Sequence, residues 1–341
     1  MFKNLLRARL LVAAAVVMVA ASACSSDATK SSSDEPSGSS LKGAAIFSGA
    51  VNDGGFSQNG KLALDSAKSQ LGAEVAYSEN VQVPDAENAM RQYVADGNTV
   101  IWAHGAQFWD AVQTVAAESP NVVFIGELDV KPDKSATNVW VLDRNFYTPF
   151  YVVGSLAGRV SKSGKIGFVG GLDLPFTNAE VNAMRQALQA DGQQATVTPV
   201  FVGDFNDPTK AQQLSSQLID RGIDVLVGSL DLGQAGLDNA ATGKDVRTTA
   251  VTAKTGEGPA STSSSRAASI VFDYGPPLVS ILEEAKVGTT TGYFKLDFAN
   301  GISVEVTDAV DASVKDQVKQ LVEKIQAGQV SIENDQTTAT K

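Results

Sequence analysis

Within five residues the chain sets an amide, a carboxylate and an aromatic ring: Asn52, Asp53 and Phe56, with Gly54 and Gly55 between them and the Ser57 hydroxyl next. Such a set suits the capture of a small, flat, polar molecule, the ring stacking on it and the polar groups reading its edge. A related set returns about 120 residues later, where Gly170 and Gly171 precede Asp173 and Phe176. His104, the one histidine, is followed by Gln107, Phe108 and Trp109. Other chemistry is missing. One histidine excludes a His-based metal cluster, and a conventional Ser-His-Asp triad anywhere but at His104. There is no G-x-S-x-G elbow, no G-x-x-x-x-G-K-[ST] loop and no G-x-G-x-x-G opening a helix. Carboxylates abound, but nothing singles out a glycosidase-type pair. These absences point to binding rather than catalysis, with no metal and no cofactor expected.

Each polar set must sit on a strand end. Residues 44–47 form a short apolar run, residues 52–55 a polar turn, and Leu62, Ala63, Ala67 and Leu71 take helical spacing. Strand, loop, helix is the opening of a βαβ unit, and in open α/β sheets ligands sit at the carboxyl ends of strands. The alternation continues: strands over 73–77, 99–103, 122–125 and 138–142, helices from Pro84 and over 108–117, and a further helix over 148–160. Then the pattern restarts, with residues 165–171 matching the opening strand and loop, a helix with Val181, Met184 and Leu188, strands over 197–202 and 225–227, and a helix opened by Asp207-Pro208. The same order at similar intervals predicts two similar lobes with mainly parallel sheets, by duplication or by the likeness of any two βαβαβ stretches. Residues 255–269 read as loop and 270–272 as strand. Residues 294–298 and 302–306 read as strands around Asn300-Gly301, a hairpin signal. A last helix carries Val314, Val318, Leu321, Val322 and Ile325 on one face, and the tail beyond Asn334 is expected to fray.

Some candidates have plainer readings. Phe56 and Phe176 could be packing; their place after a strand end in the repeated unit favours ligand contact. Asp53 could be only a turn former. Trp102 and Trp140 read as structural, Asp85 and Asp207 as helix caps. Trp109 and Lys254 are open between cleft and elsewhere.

The first 24 residues read as an address. Lys3, Arg7 and Arg9 precede an apolar run too short to span a bilayer, ending in Ala21-Ser22-Ala23-Cys24. The only cysteine in 341 residues thus follows small residues, as in a bacterial lipobox, and lipidation of Cys24 is expected; the alternative is plain secretory cleavage. Residues 25–40, rich in Ser, Asp and Gly, read as a flexible tether. Loss of residues 1–23 removes three positive charges and no negative ones, taking the net charge from −11 to −14. So acidic a chain is a poor nucleic-acid binder.

The lipobox, the 52–60 loop, the Gly167-Phe168-Val169-Gly170-Gly171 run, the Gly203-Asp204-Phe205-Asn206-Asp207-Pro208 run and residues 218–225 together resemble the BMP (basic membrane protein) lipoprotein family. These are substrate-binding proteins of ABC importers, similar to purine-nucleoside receptors, and the resemblance runs from about Lys42 to Gln329. It implies a type I periplasmic-binding-protein-like α/β fold: two Rossmann-like lobes, a hinge and a central ligand cleft. The expected layout is a signal peptide over 1–23 and a tether over 24–41. An N-terminal lobe of 42–144 plus 274–300 and a C-terminal lobe of 145–272 plus 301–334 follow, then a tail over 335–341. Crossovers are expected near 143–146, 272–275 and 300–302. The implied site is Asn52, Asp53, Phe56 and Ser57, with His104, Gln107, Phe108 and Trp109 from the first lobe. The second lobe supplies Asp173, Phe176, Asp231, Gln234 and Lys254. The family's Val-x-Asp-x-Asp-Gln stretch, whose first Asp holds ribose hydroxyls in nucleoside binders, is matched here by Val251-Thr252-Ala253-Lys254-Thr255, without a carboxylate. A free nucleobase or another flat heterocycle is then at least as fitting as a nucleoside. The resemblance implies a monomer tethered outside the cytoplasmic membrane, with permease and ATPase subunits as partners. Alternatives are a surface sensor acting through a partner, or an exported hydrolase.

Overall fold

In the computed structural model, which describes residues 41–253 and 264–339, the apolar runs of the central strands are buried on both faces, as parallel sheets demand. The strands are β1 (Lys42–Phe47), β2 (Glu74–Ser78), β3 (Val100–His104), β4 (Val123–Leu128), β5 (Val139–Asp143), β6 (Lys165–Gly170), β7 (Thr196–Phe201), β8 (Val225–Ser229), β9 (Arg247–Thr252), β10 (Arg266–Phe272), β11 (Gly292–Lys295) and β12 (Ile302–Val306). They form two six-stranded sheets, ordered β11-β5-β4-β3-β1-β2 and β12-β10-β9-β8-β6-β7. The two orders are the same winding, so the repeat read in the sequence is a repeat of topology. Every pairing is parallel except β10 with β12.

The helices are α1 (Phe56–Leu71), α2 (Ala86–Ala95), α3 (Trp109–Glu118), α4 (Tyr147–Val160), α5 (Pro175–Ala190), α6 (Pro208–Asp220), α7 (Gln234–Ala241), α8 (Gly275–Lys286) and α9 (Ala312–Gln326). Asp207 caps α6 through its carboxylate, which accepts the Lys210 N–H at 2.9 Å. Asp85 stands at the N-cap of α2 but its side chain makes no capping bond, a correction to its reading as a cap. Trp102 is buried, and Trp140 packs at the sheet edge with its indole N–H on the Thr289 carbonyl at 3.2 Å, both as read.

Three further corrections concern the second half. Asn300-Gly301 is not a hairpin turn: β11 pairs with β5 and β12 with β10, so the chain passes from one sheet to the other there. Gly301, at φ +148, lets the turn press on the neighbouring crossover, where the Asp273 N–H donates to its carbonyl at 2.7 Å. A Cβ at this position would meet the Asp273 carbonyl oxygen at 2.5 Å. Residues 266–269 are strand, not loop. Arg266 inside β10 is buried against the Asp238 carboxylate at 2.5 Å, which explains a charged residue in a core strand. The helix α7 and the start of that strand went unread. Finally, residues 335–339 do not fray. The Asn182 amide donates to the carbonyls of Asp335 and Thr337, both at 2.9 Å, and Arg185 donates to that of Ala339 at 2.8 Å. The Ala339 N–H closes the strap on Asn178 Oδ1 at 2.8 Å.

Asn145, at φ +50, is the pivot of the first crossover: its N–H caps back on Asp143 Oδ1 and its amide donates to the Leu296 carbonyl of the third crossover at 2.7 Å. The Leu296 N–H donates to the Asp143 carbonyl at 2.9 Å, so these two passages of the chain are bonded side by side.

Candidate functional site

The carboxyl ends of the two sheets face one another across a cavity of about 660 Å³. The β1–α1 loop builds one wall. Its Asp53 folds the loop by accepting the backbone N–H groups of Gly55, Ser57 and Gln58 at 2.9, 2.9 and 3.0 Å. The carboxylate is thus largely engaged in starting α1, and its role as a turn former is real even though it lines the cavity.

That turn delivers Phe56. One face of its ring is covered by His104, stacked at 3.8 Å between centroids with 13° between planes, and Phe146 and Tyr274 meet it edge-on at 6.2 and 6.1 Å. His104 is fully buried behind the ring. Its Nε2 bonds the Phe56 carbonyl at 2.9 Å, and its Nδ1 lies 2.6 Å from Glu127 Oε1. The carbonyl can only accept, so Nε2 carries a hydrogen. The same Glu127 oxygen accepts the Trp102 indole N–H at 3.0 Å. Trp102, Glu127 and His104 thus form a buried chain that fixes Phe56 from behind, a positioning role where the sequence suggested a cavity-lining one.

The opposite wall carries Phe176 and Phe205, near-parallel rings 6.2 Å apart. Between the walls lies Arg144, its guanidinium 4.3 Å from the Phe146 ring and 5.1 Å from that of Phe176. Its Nε donates to Asp129 Oδ1 at 2.9 Å and its Nη2 to Oδ2. Burial works against this cation, and the Asp129 charge and bonds outweigh it, holding the group above its ordinary value. Glu180, on α5, also lines the cavity and is 2% exposed. Burial raises its carboxyl well above the ordinary range, although a Ser229 bond and the Arg144 charge oppose the shift.

Asp231, in the loop after β8, crosses to the other lobe: its Oδ1 accepts the Phe56 N–H at 3.1 Å. Gly55 permits the approach, since a Cβ there would lie 2.3 Å from that oxygen. Burial, then the nearby negative charge of Asp53, pushes the Asp231 carboxyl up to about 7. The Ala253 N–H donates to the Gly54 carbonyl at 2.9 Å and the Asn59 amide to the Thr252 carbonyl at 3.3 Å, so the lobes meet along one side of the cavity.

Of the residues expected at the site, Asp53, Phe56, Ser57, Gln107, Phe176 and Asp231 line this cavity. The others that the structure describes stand apart from its walls. Asn52 is exposed on the turn. Phe108 is wholly buried in a core cluster with Val112 and Phe124, because its short helical turn points back under the sheet. Trp109 packs beneath Gly126, whose added Cβ would meet the indole at 3.0 Å. Asp173 is exposed and accepts the Asn178 amide at 2.8 Å, and Gln234 is buried with its amide on the Thr249 carbonyl at 3.3 Å. Lys254 and Cys24 lie outside the described residues. Sequence reasoning missed Arg144, Glu180, Phe146, Phe205 and Tyr274. One signal was available: Glu180 shares a helix face with the apolar or small residues Phe176, Ala183, Met184 and Ala187, an unusual place for a carboxylate.

The sequence model of PnrA-like (Bmp) ABC transporter substrate-binding proteins matches residues 40–336. A purine-binding protein of Brucella abortus is 27% identical over 194 residues, 56% of this chain and 55% of that protein. Basic membrane protein A2 of Borrelia garinii is 24% identical over 207 residues, 57% of this chain and 58% of that protein. The match therefore spans little more than half the length of these curated relatives. Among solved structures, an ABC transporter solute-binding protein of Conexibacter woesei is similar with a TM-score of 0.70 at 29% identity, over 86% of this chain and 99% of that one. One from Aeropyrum pernix, with a TM-score of 0.72 at 17% identity over 85% and 92% of the two chains, shares the fold.

Proposed function

Since this chain belongs to the PnrA-like family of ABC transporter substrate-binding proteins, we propose that it captures a flat heteroaromatic solute in the inter-lobe cavity and presents it to the membrane subunits of an importer. A purine base is the favoured occupant, a nucleoside or similar small ring the next. The observation that carries this reading is Phe56: one face is pinned by His104, and the ring still forms part of the cavity wall opposite the Phe176–Phe205 pair. Such a wall offers a ring-shaped solute stacking on one side and apolar contact on the other. The similarity to a protein described as purine-binding supports the same class. The absence of a carboxylate over 251–255 favours a free base over its riboside, because a hydroxyl site without its acceptor loses most of its grip.

The family is extracytoplasmic and consists of binding proteins, so the hydrolase alternative is set aside. Lipidation of Cys24, tethering at the outer face of the membrane and a monomeric state complete the proposal. A thermal-shift and calorimetry screen against purine and pyrimidine bases, their nucleosides, sugars and amino acids tests it. A solute at about 100 times its Kd stabilises by about 2.7 kcal/mol, a rise of a few degrees in Tm. A response to bases is expected. A response to sugars or amino acids alone would overturn the ligand assignment.

A further inference from the structure

We infer that Glu180 and Arg144 read the polar edge of the bound ring and select for an edge that sets an N–H donor beside an acceptor, as nucleobases do. The inference rests on the heteroaromatic-ligand reading above and names the groups that give it specificity.

Glu180 lines the cavity yet is almost wholly removed from bulk water. The Ser229 hydroxyl bonds its carboxyl, while Oε2 has no partner among the described residues. Native proteins rarely bury a carboxyl oxygen without a use for it. The groups around it do not explain it as a structural ion pair. Arg144 lines the same cavity and acts on Glu180 through its charge, but its Nε and Nη2 are committed to Asp129. From the other elements, the Asp129 charge is the one that opposes ionisation of Glu180.

The chemistry of the pair restricts its ligand. A guanidinium only donates; the Glu180 carboxyl, whose charge burial disfavours, accepts at one oxygen and, while it keeps its proton, donates at the other. A ring satisfies both when it offers one N–H and one lone pair side by side on one edge. Adenine does so with its exocyclic amine and ring nitrogen, hypoxanthine with its ring N–H and carbonyl. A ring with the same stacking area but no such N–H leaves the acceptor oxygen of Glu180 unpaired in a dry site, and sites of this kind reject such analogues strongly.

The test pairs each ring with an analogue that lacks the donor, with a 9-methyl group blocking the five-membered-ring N–H in all four: 9-methyladenine with 9-methylpurine, and 9-methylhypoxanthine with its 1-methyl derivative. Affinities are measured by calorimetry for the unaltered protein and for Glu180→Met, Glu180→Gln and Phe56→Ala. The unaltered protein should favour the donor-bearing partner by at least tenfold. Glu180→Met should bind the two partners alike. Glu180→Gln, which keeps an acceptor oxygen, should restore part of the preference, and Phe56→Ala should weaken both partners equally. An unchanged preference in Glu180→Met, or none in the unaltered protein, would overturn the inference while leaving the ring-binding reading in place. Failure of the unaltered protein to bind any of the four rings would overturn that reading and this inference with it.

Discussion

Asp231→Asn isolates the contact that joins the lobes. In the folded protein the Asp231 carboxyl is pushed up to about 7 by burial and by the charge of Asp53, against an ordinary value of 3.8. Each tenfold change in proton affinity is worth 1.36 kcal/mol, so ionised Asp231 costs the folded state about 4 kcal/mol above pH 7. The sign follows from the proton. Below about pH 4 both folded and unfolded chains hold it and the cost vanishes; between about pH 4 and 7 only the folded chain holds it, and stability falls as pH rises. Asparagine never ionises and keeps an oxygen for the Phe56 N–H, at a loss of about 1 kcal/mol for the weaker bond. The variant should therefore be more stable than the unaltered protein by about 3 kcal/mol at pH 8, and slightly less stable at pH 4. Urea unfolding of both proteins across this range measures the difference, in which the titrating groups that do not act on Asp231 cancel. A difference that does not change with pH would refute the reasoning.

Three other perturbations follow from the geometry. Phe56→Ala should weaken the bound ring by about 1–3 kcal/mol, the usual scale of base–aromatic stacking, by calorimetry; unchanged affinity would remove Phe56 from the site. Gly55→Ala sets a methyl group 2.3 Å from Asp231 Oδ1, so it should block the inter-lobe contact and weaken ligand binding at least tenfold, while Gly72→Ala, whose Cβ meets nothing within 4 Å, should leave affinity unchanged. Deleting residues 335–341 strips Asn178, Asn182 and Arg185 of their strap bonds and should cost about 2–4 kcal/mol in urea unfolding, at about 1 kcal/mol per bond.

The alternation of strand and helix was legible because each central strand is a short apolar run closed by a turn, and because Pro-led helix starts recur in both halves. The hairpin at Asn300-Gly301 was misread for a physical reason. The turn is a local signal, whereas the partner of each flanking strand is set by sheet edges formed 150 or so residues earlier in one case, at β5. The site was legible where loops carry it, as at Phe56 and Asp231. It was illegible where helices do: Glu180 is one carboxylate among 38, and only the packing of α5 against the cavity distinguishes it. Phe108 and Trp109 show the converse, since the short helical turn Ala106–Phe108 carries them under the sheet rather than over the cavity. His104 was expected to line the cleft, yet it is fully buried behind Phe56, its ring nitrogens on the Phe56 carbonyl and Glu127.

The measurement that bears most directly on the central claim is a crystal structure with the tightest solute from the screen. The account predicts a flat ring lying on the face of Phe56 away from His104, within the 660 Å³ cavity and with its polar edge toward Glu180 and Arg144. A solute seated elsewhere on the protein, or one in the cavity without contact to Phe56, would contradict it.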